Sequence, residues 1–519
     1  MSEKTSFRIE GGLPVLNPTT DRPRTATLVA SLTEAPSASG NEVRALSDLA
    51  DCLEVRADLV GAIDPAWLRE RFAGELLYTL RSEAEGGRGP VDADRRQELL
   101  AAGAVYDLVD LEADRDLVFG VLDAVEPRRR LVSWHGRAGH VKALRSRLKQ
   151  ASATEARLYK LVTAAERSGE ELVPLELLLG AGREDVVAFS MGAVGAWTRL
   201  VAPRLGAPWV YGAAGSVAAA PGQPSVERLR ADYGLPNLPP VARLFGVVGH
   251  PAAHSMSPRL HNAGYRDRGE AALYVAFDAP SFETFWEEVV LSDFLERAGL
   301  PLGGLSVTAP HKAAALAAAS EAGDAAVRTA GANTLLPAPG AAVGRRWRAE
   351  STDPEGIVGP LRRRGIETAG RAALVIGAGG AGRAAVAGLV AAGAEVSLAN
   401  RTVEAGEAAA ESLAVTFVPL AELDPGPFDI VVNATSLGGR PGDPLPCDPD
   451  ALRPSAVGVE LVYGGGPTPW SRALGARGVT VVGGREVLLH QGLAQFEAMT
   501  GGPLPFDVGA DALGLESMR

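Results

Sequence analysis

The chain has 519 residues, 46% apolar and 22% charged, with a net charge of −12 and two cysteines, Cys52 and Cys447. That length predicts three or four domains, allowing for one α/β barrel of more than about 200 residues. The acidic balance argues against nucleic acid or an anionic membrane as main partner, and two distant cysteines exclude a disulfide scaffold and predict a reducing, cytoplasmic compartment. No apolar run is long enough to span a bilayer, and neither cysteine stands in metal-ligand spacing, so no metal is expected.

Residues 1–23 are polar and Pro-bearing and read as a flexible lead. From Thr27 onward, β-type runs alternate with helix-compatible segments: Thr27–Leu32, Cys52–Asp58, Glu75–Arg81, Val105–Glu112, Arg130–His135, Ala156–Val162, Val186–Met191 and Trp209–Ala213. Eight strands with seven intervening segments predict an N-terminal (β/α)8 barrel over residues 24–224. In such a barrel chemistry sits at the C-terminal strand ends, and those ends carry Glu54, Arg56, Arg81, Asp110, Glu112, His135, Lys160 and Met191. Glu54, Arg56 and Asp58 alternate with Leu53, Val55 and Ala57, which puts three charges on one face of a predicted strand. A salt-bridged layer explains any single charge equally well. The whole set on one rim points to a site.

Lys160 lies in Leu158-Tyr-Lys-Leu-Val162, flanked by β-formers, so its amine projects into the barrel. Burial depresses a lysine pKa and yields the neutral amine that attacks a carbonyl. Lys142 and Lys149 instead share the face of a helix opposite the Val141, Leu144, Leu148 stripe and read as solvated. His135, one strand earlier, suits a proton shuttle. An imine at Lys160 with a base at His135 describes elimination next to a carbonyl.

These residues resemble the type I 3-dehydroquinate dehydratases over about residues 25–225. The motifs are Glu54-x-Arg56, Thr79-Leu-Arg81 with Glu85-Gly-Gly, Asp110-Leu-Glu112, Ser133-Trp-His135, Lys160, Ser190-Met-Gly192 and Ala220-Pro-Gly-Gln223. The resemblance implies a Schiff base at Lys160, His135 as base and acid, and Glu85 orienting His135. It further implies substrate contacts from Glu54, Arg56, Arg81 and Met191, a carboxylate-binding Arg199 and a closing Gln223. Ala219 replaces the family's serine and Gly136-Arg137 its Asp/Asn-Phe. The first change removes a substrate hydrogen bond but no catalytic group, so activity is expected.

Pro221–Pro240 holds five prolines and reads as a semi-rigid linker over residues 225–241. Leu244–Val248 then reads as a strand, with Ser257 capping a helix that Pro258 begins, and Ser255 and Ser257 offering hydroxyls to an anion. Capping alone is the commoner explanation of a lone Ser-Pro. In Gly304-Leu-Ser-Val-Thr-Ala-Pro-His-Lys312, Pro310 predicts a helix start with Lys312 in its first turn. A cation there opposes the helix dipole, a placement that suits an acid/base role. Gly331-Ala-Asn-Thr334 and Ser351-Thr-Asp353 add an amide and a carboxylate, and a Lys312–Asp353 pair suits proton relay when a carbonyl is reduced.

Ala372–Ile376 enters Gly377-Ala-Gly-Gly-Ala-Gly382, a G-x-G-x-x-G turn that lets a pyrophosphate approach backbone amides at a helix start. Ala394–Asn400 follows as the next strand. Where an NAD enzyme places Asp or Glu, this chain has Asn400, Arg401 and Thr402, and Arg401 suits a 2′-phosphate, so NADP(H) is the predicted cofactor.

Over about residues 242–505 these motifs resemble the shikimate dehydrogenases, whose G-x-P-x-x-H-S-x-S-P-x-x-H-N pattern runs from Gly249 to Asn262. The resemblance implies carboxylate binding by Ser255 and Ser257, hydroxyl contacts from Thr308, Asn333, Asp353 and Gln491, and catalysis by Lys312 and Asp353. It adds Tyr463 at the cleft and Ala378, Gly379, Gly380, Ala381, Asn433, Thr435 and Ser436 along the cofactor. It implies a substrate domain at 242–353, a Rossmann domain at 354–485 and a helical return at 486–519. Ser306, Ser351, Gly439, Glu460 and Gly464-Gly465 depart from the family pattern, the two serines bearing on substrate preference. The joint reading is a bifunctional enzyme that dehydrates 3-dehydroquinate and reduces 3-dehydroshikimate to shikimate, with small molecules as partners and oligomeric state open. Alternatives are a catabolic quinate/shikimate dehydrogenase with a weak or scaffolding barrel and, ranked last, a metabolite-binding regulatory protein.

Overall fold

The computed structural model describes residues 24–338, 346–464 and 466–515. The expected flexible lead at 1–23 and the last four residues lie outside that range. Contacts divide the chain into two compact units.

The first unit is built on eight parallel strands: β1 (Thr27–Leu32), β2 (Cys52–Arg56), β3 (Glu75–Thr79), β4 (Leu108–Glu112), β5 (Arg130–Gly136), β6 (Leu158–Ala164), β7 (Val186–Met191) and β8 (Trp209–Ala213). Neighbours pair in order from β1 to β7, and β8 returns to pair with β1. Rings of Phe189 and Tyr211, 6.2 Å apart, bring β7 and β8 together. Burial on both faces of every strand explains why the sequence shows continuous apolar runs there, interrupted by charge only near the strand ends.

Two expectations need correction. β2 stops at Arg56, and Asp58 sits in a short helix, Ala57–Val60, so the three charges do not share a strand face. Asp58 still meets Arg56, at 2.8 Å, by folding back onto it. The supposed linker contains the helix Val226–Tyr233, which follows β8 and completes the barrel. Ser225 caps it by accepting from the Arg228 amide, and Val226, Leu229 and Tyr233 form its buried stripe. The prolines flank this helix rather than interrupt it.

Ala271–Leu302 also clusters with the barrel, not with the segments C-terminal to it. The reason is aromatic: Trp197, from the barrel, packs edge-on against Phe277 at 5.1 Å, and Phe277 against Phe285 at 5.2 Å. All three are 1% exposed.

In the second unit, Leu302–Val307 pairs antiparallel with Thr334–Pro337, which pairs antiparallel with Trp347–Glu350. Beyond the helix Asp353–Arg363 comes a six-stranded parallel sheet. Its order is Thr416–Pro419, Glu395–Asn400, Ala372–Ile376, Ile430–Asn433, Val457–Glu460, Thr480–Val482. Val375 and Leu398 face one apolar layer with Val386 and Leu389, while Leu374 and Ile376 face another with Trp470 and Leu474. This order reverses at Ala372–Ile376, which puts the glycine turn at the sheet's switch point. The long helix Gly484–Thr500 packs on Asp353–Arg363, with Gly356 at the crossing, where a Cβ would stand 3.0 Å from the Val487 carbonyl.

Candidate active sites

At the C-terminal rim of the barrel, Lys160 is 4% exposed. Register places it opposite Ser133, with His135 two residues further along the same face. Its Nζ lies 3.8 Å from both Glu54 Oε1 and Asp110 Oδ2 and 3.9 Å above the Tyr211 ring. Burial holds the Lys160 amine below the usual lysine range, against the pull of Glu54 and Asp110. Burial would raise Glu54, but Lys160 and Arg56 outweigh it and keep that carboxylate low.

Glu85 Oε2 stands 3.0 Å from both the Nδ1 and the backbone N of His135. Burial, then Arg81, Lys160, Arg56 and Arg199, pushes His135 well below its ordinary value, which leaves a neutral imidazole able to accept a proton. Burial lifts Glu85 to about 8. Arg81 bridges Asp110 at 2.7 Å, Glu85 at 3.1 Å and Glu112 at 3.3 Å, tying the end of β3 to β4 and to the loop that carries Glu85. Gln223 donates to Ser31 and accepts from the Ala219 amide, while Arg56 reaches the Ala219 carbonyl at 3.4 Å. Met191 ends β7, half-buried.

Arg199 sits in the short helix Thr198–Val201 rather than at a strand end. It is 3% exposed, its Nε and Nη2 have no protein partner, and burial brings it down to about 10. An uncompensated buried guanidinium is costly and fits an anionic ligand.

In the second unit, Lys312 begins the helix Lys312–Ala318 and Asp353 begins Asp353–Arg363, and the two form an ion pair at 2.5 Å. Asn333 donates to Asp353 Oδ1 at 2.8 Å and to Gln491 Oε1 at 3.2 Å. Ser255 accepts from the Ser257 amide, and Met256, not Ser257, is the N-cap of the helix Ser257–Arg268. Tyr463 bonds Ser255. Thr308 is half-buried, its amide donating to the Val248 carbonyl. Ser306 is 4% exposed and donates to Gln495, so it is tied back into the fold.

The glycine turn is as tight as its spacing implies. Gly377 has φ 113°, and a Cβ on Gly382 would lie 1.8 Å from the Gly377 carbonyl oxygen. Gly379 caps the helix Gly380–Ala391, which takes in Ala381, and a Cβ on Gly380 would meet the Lys312 stem at 3.5 Å. Ala378 donates to Asn400 Oδ1, and Asn400 donates to the Thr402 carbonyl, so the amide of Asn400 serves the turn itself. Arg401 and Thr402 are exposed, and Arg401 has no ion pair among the described residues. Asn433 is 0% exposed, bonded to Leu437, Glu460 and Thr435, and therefore lies beneath the loop that carries Thr435 and the exposed Ser436.

Sequence reasoning gave no role to Ser31, Ser133, Tyr211 and Gln495, although Ser133 stood in the Ser133-Trp-His135 motif. Gln495 had a signal, standing four residues after Gln491 on one helix face. It accepts from Ser306 and donates to the Asn333 carbonyl at 2.9 Å and Thr334 Oγ1 at 2.8 Å. The other three are ordinary strand residues until neighbouring strands are paired.

Comparison with known proteins gives three family matches: Type I 3-dehydroquinase over residues 31–237, Shikimate dehydrogenase substrate binding domain over 247–335, and Shikimate / quinate 5-dehydrogenase over 361–438. The chain is 39% identical over 272 residues to a shikimate dehydrogenase (NADP(+)) of Syntrophobacter fumaroxidans, covering 51% of this chain and 90% of that protein. It is 27% identical over 489 residues to the chloroplastic bifunctional 3-dehydroquinate dehydratase/shikimate dehydrogenase of Arabidopsis thaliana, covering 88% and 78%. Among solved structures it is similar to shikimate 5-dehydrogenase from Thermus thermophilus in complex with NADP(H) and shikimate. Identity there is 33%, coverage 52% of this chain and 98% of that one, and the TM-score 0.46.

Proposed function

This chain belongs through its second half to the shikimate dehydrogenase family, and we propose that its two sites catalyse consecutive steps, dehydration of 3-dehydroquinate and reduction of 3-dehydroshikimate to shikimate. The observation that carries the reading is the buried Lys160 amine on the same rim as the Glu85–His135 pair.

In the first site, neutral Lys160 adds to the ketone and water leaves, giving an iminium on Nζ. His135 takes the proton from the carbon next to the iminium. The resulting enamine expels the β-hydroxyl, to which His135 returns the proton. Hydrolysis then frees Lys160, and the net change is loss of one water. Glu85 fixes the His135 ring, Glu54 and Asp110 steady the cation at Nζ, and Arg199 binds the substrate carboxylate. Arg56, Arg81, Met191 and Gln223 line and close the site.

In the second site, Ser255, Ser257 and Tyr463 hold the substrate carboxylate, and Thr308, Asn333 and Gln491 its hydroxyls. Lys312 donates a proton to the carbonyl oxygen, and Asp353 holds that amine in place. The glycine turn and the Gly380–Ala391 helix start would hold a pyrophosphate, and Arg401 a 2′-phosphate, an assignment supported by the open space at Gly379 and by a guanidinium that is exposed and has no ion pair among the described residues. NADPH, when bound, supplies the hydride. We further infer a cytoplasmic enzyme of small molecules, from its two unbridged cysteines and net charge of −12. Among the described residues no helix is long and apolar enough to cross a membrane.

Borohydride reduction in the presence of 3-dehydroshikimate, followed by peptide mass analysis, tests the first site. The expected adduct lies on Lys160 and is absent from Lys160→Met; an untouched Lys160 would refute the dehydratase. Steady-state rates with shikimate and quinate, each with NADP and NAD, test the second, and a preference for quinate with NAD would replace biosynthesis with catabolism.

A further inference from the structure

A buried ion pair outside the reacting set lies beneath the barrel site. Arg96, on the helix Ala93–Gly103, is 2% exposed, and Asp116, just past β4, is 1% exposed. They form a fork, Nε to Oδ1 and Nη2 to Oδ2, both at 2.7 Å. Two of the three remaining guanidinium hydrogens go to backbone, Nη2 donating to the Leu80 carbonyl at 3.1 Å and Nη1 to the Pro90 carbonyl at 2.9 Å, and Nη2 also lies 3.4 Å from Glu112 Oε2. Leu80 and Pro90 are the two ends of the loop that carries Arg81, Ser82 and Glu85. Asp116 Oδ2 also accepts from the Glu112 amide at 2.7 Å, and Glu112 in turn accepts from the Ser82 amide and hydroxyl, each at 2.7 Å.

We propose that Arg96 and Asp116 are positioning residues of the dehydratase, a clamp that closes the 80–90 loop at both ends and so sets Glu85 against His135. The inference rests on the dehydratase reading of the barrel. Its physical basis is that Glu85 comes from a loop, not a strand, so nothing in the barrel's own ladder fixes its reach to His135. The loop's internal bonds, from Glu83 to Gly89 at 3.0 Å and Gly89 to Arg81 at 2.8 Å, give it shape but not place. Its place comes from the bonds of Ser82 and Arg81 to β4 and, at its two ends, from the guanidinium, whose planar donors reach both loop ends and the Asp116 carboxylate at once. Glu85 itself faces Arg81, Arg115, Glu112, Asp110 and His135, so a shift of the loop changes every electrostatic contact of the proton-transfer pair.

The test uses the full chain and two variants. Replacing one partner alone strands a buried charge, so the first variant removes both, Arg96→Met with Asp116→Leu. The second, Arg96→Lys, keeps the cation and loses the fork. Three readouts are compared with the parent: the borohydride adduct at Lys160 with 3-dehydroshikimate, which reports a folded barrel; dehydration kcat; and its pH profile. The expected result is an intact adduct, kcat lower by about 10- to 100-fold, and a displaced pH limb of the His135–Glu85 pair. Dehydration within twofold of the parent, with the adduct and the pH profile unchanged, overturns the clamp. Should the double variant lose its adduct, Arg96→Lys decides by the same criteria. A parent with neither adduct nor dehydration overturns the dehydratase reading instead.

Discussion

Lys160 and Lys312 are placed by different physics. Lys160 is enclosed by strands, and burial draws its amine toward the neutral form. Lys312 stands on a helix N-terminus, where its charge is unfavourable, and is held by Asp353, which occupies the N-terminus of another helix, where a carboxylate is favoured. Both residues stood out in the sequence because their neighbours made a solvated surface lysine improbable. The companions of Lys160 did not, since Tyr211 comes from β8, two strands away around the ring from Lys160 on β6. Arg401 is legible for the opposite reason, as the role proposed for it depends on register with the glycines rather than on packing. Arg401→Ser should raise the KM for NADPH by roughly 10- to 100-fold, the scale of one charge-assisted contact, while leaving that for NADH unchanged. Equal KM values for NADPH in parent and variant would reduce Arg401 to an ordinary exposed arginine.

At the scale of elements, the barrel strands were legible because runs buried on both faces are strongly apolar, and only their ends shifted by a few residues. The helix Val226–Tyr233 was not, because the prolines around it outweighed a short stripe of three apolar residues. A second feature hidden from sequence is Glu171, which precedes the helix Leu172–Ala181. It is 1% exposed and bonded to the Gly169 amide and to Trp197, and burial raises it to about 7 from the ordinary 4.5. A raised folded value favours the protonated acid, so its contribution to stability is complete below about pH 4.5 and is lost as pH climbs through 7. The loss is on the order of 3 kcal/mol. Glu171→Gln keeps the shape without the titration. Thermal melts between pH 5 and 8 should therefore fall with pH in the parent and flatten in the variant; parallel curves would show that Glu171 does not set the slope.

Across the whole molecule, the sequence break at residue 242 is not where contacts break. Trp197 lies two residues before the carboxylate-binding candidate Arg199, and Phe277 covers it from beyond that break. A chain ending at residue 241 would expose Trp197, at a cost of about 1.5–3 kcal/mol for an apolar side chain of that size. At about 2–4 °C per kcal/mol for a unit this large, the isolated barrel should melt several degrees below the barrel in the full chain, as scanning calorimetry would resolve. Coincident transitions would mean that Ala271–Leu302 adds nothing to the barrel.

Sequence alone determined the order of elements, the barrel and dinucleotide-binding classes, and the residues that are candidates for the chemistry. Each of these depends on pattern along the chain: continuous apolar runs of strand length, glycines where a Cβ cannot fit, a lysine among β-formers. Tertiary structure alone decided who holds those residues in place. Arg96 against Leu80 and Asp116, Gln495 behind Asn333, Glu460 against Asn433 and Phe277 over Trp197 are all contacts between separate elements of the chain. Their partners are chosen by geometry after folding, because a buried polar group or ring is satisfied by whichever complementary atom the packed fold brings within reach.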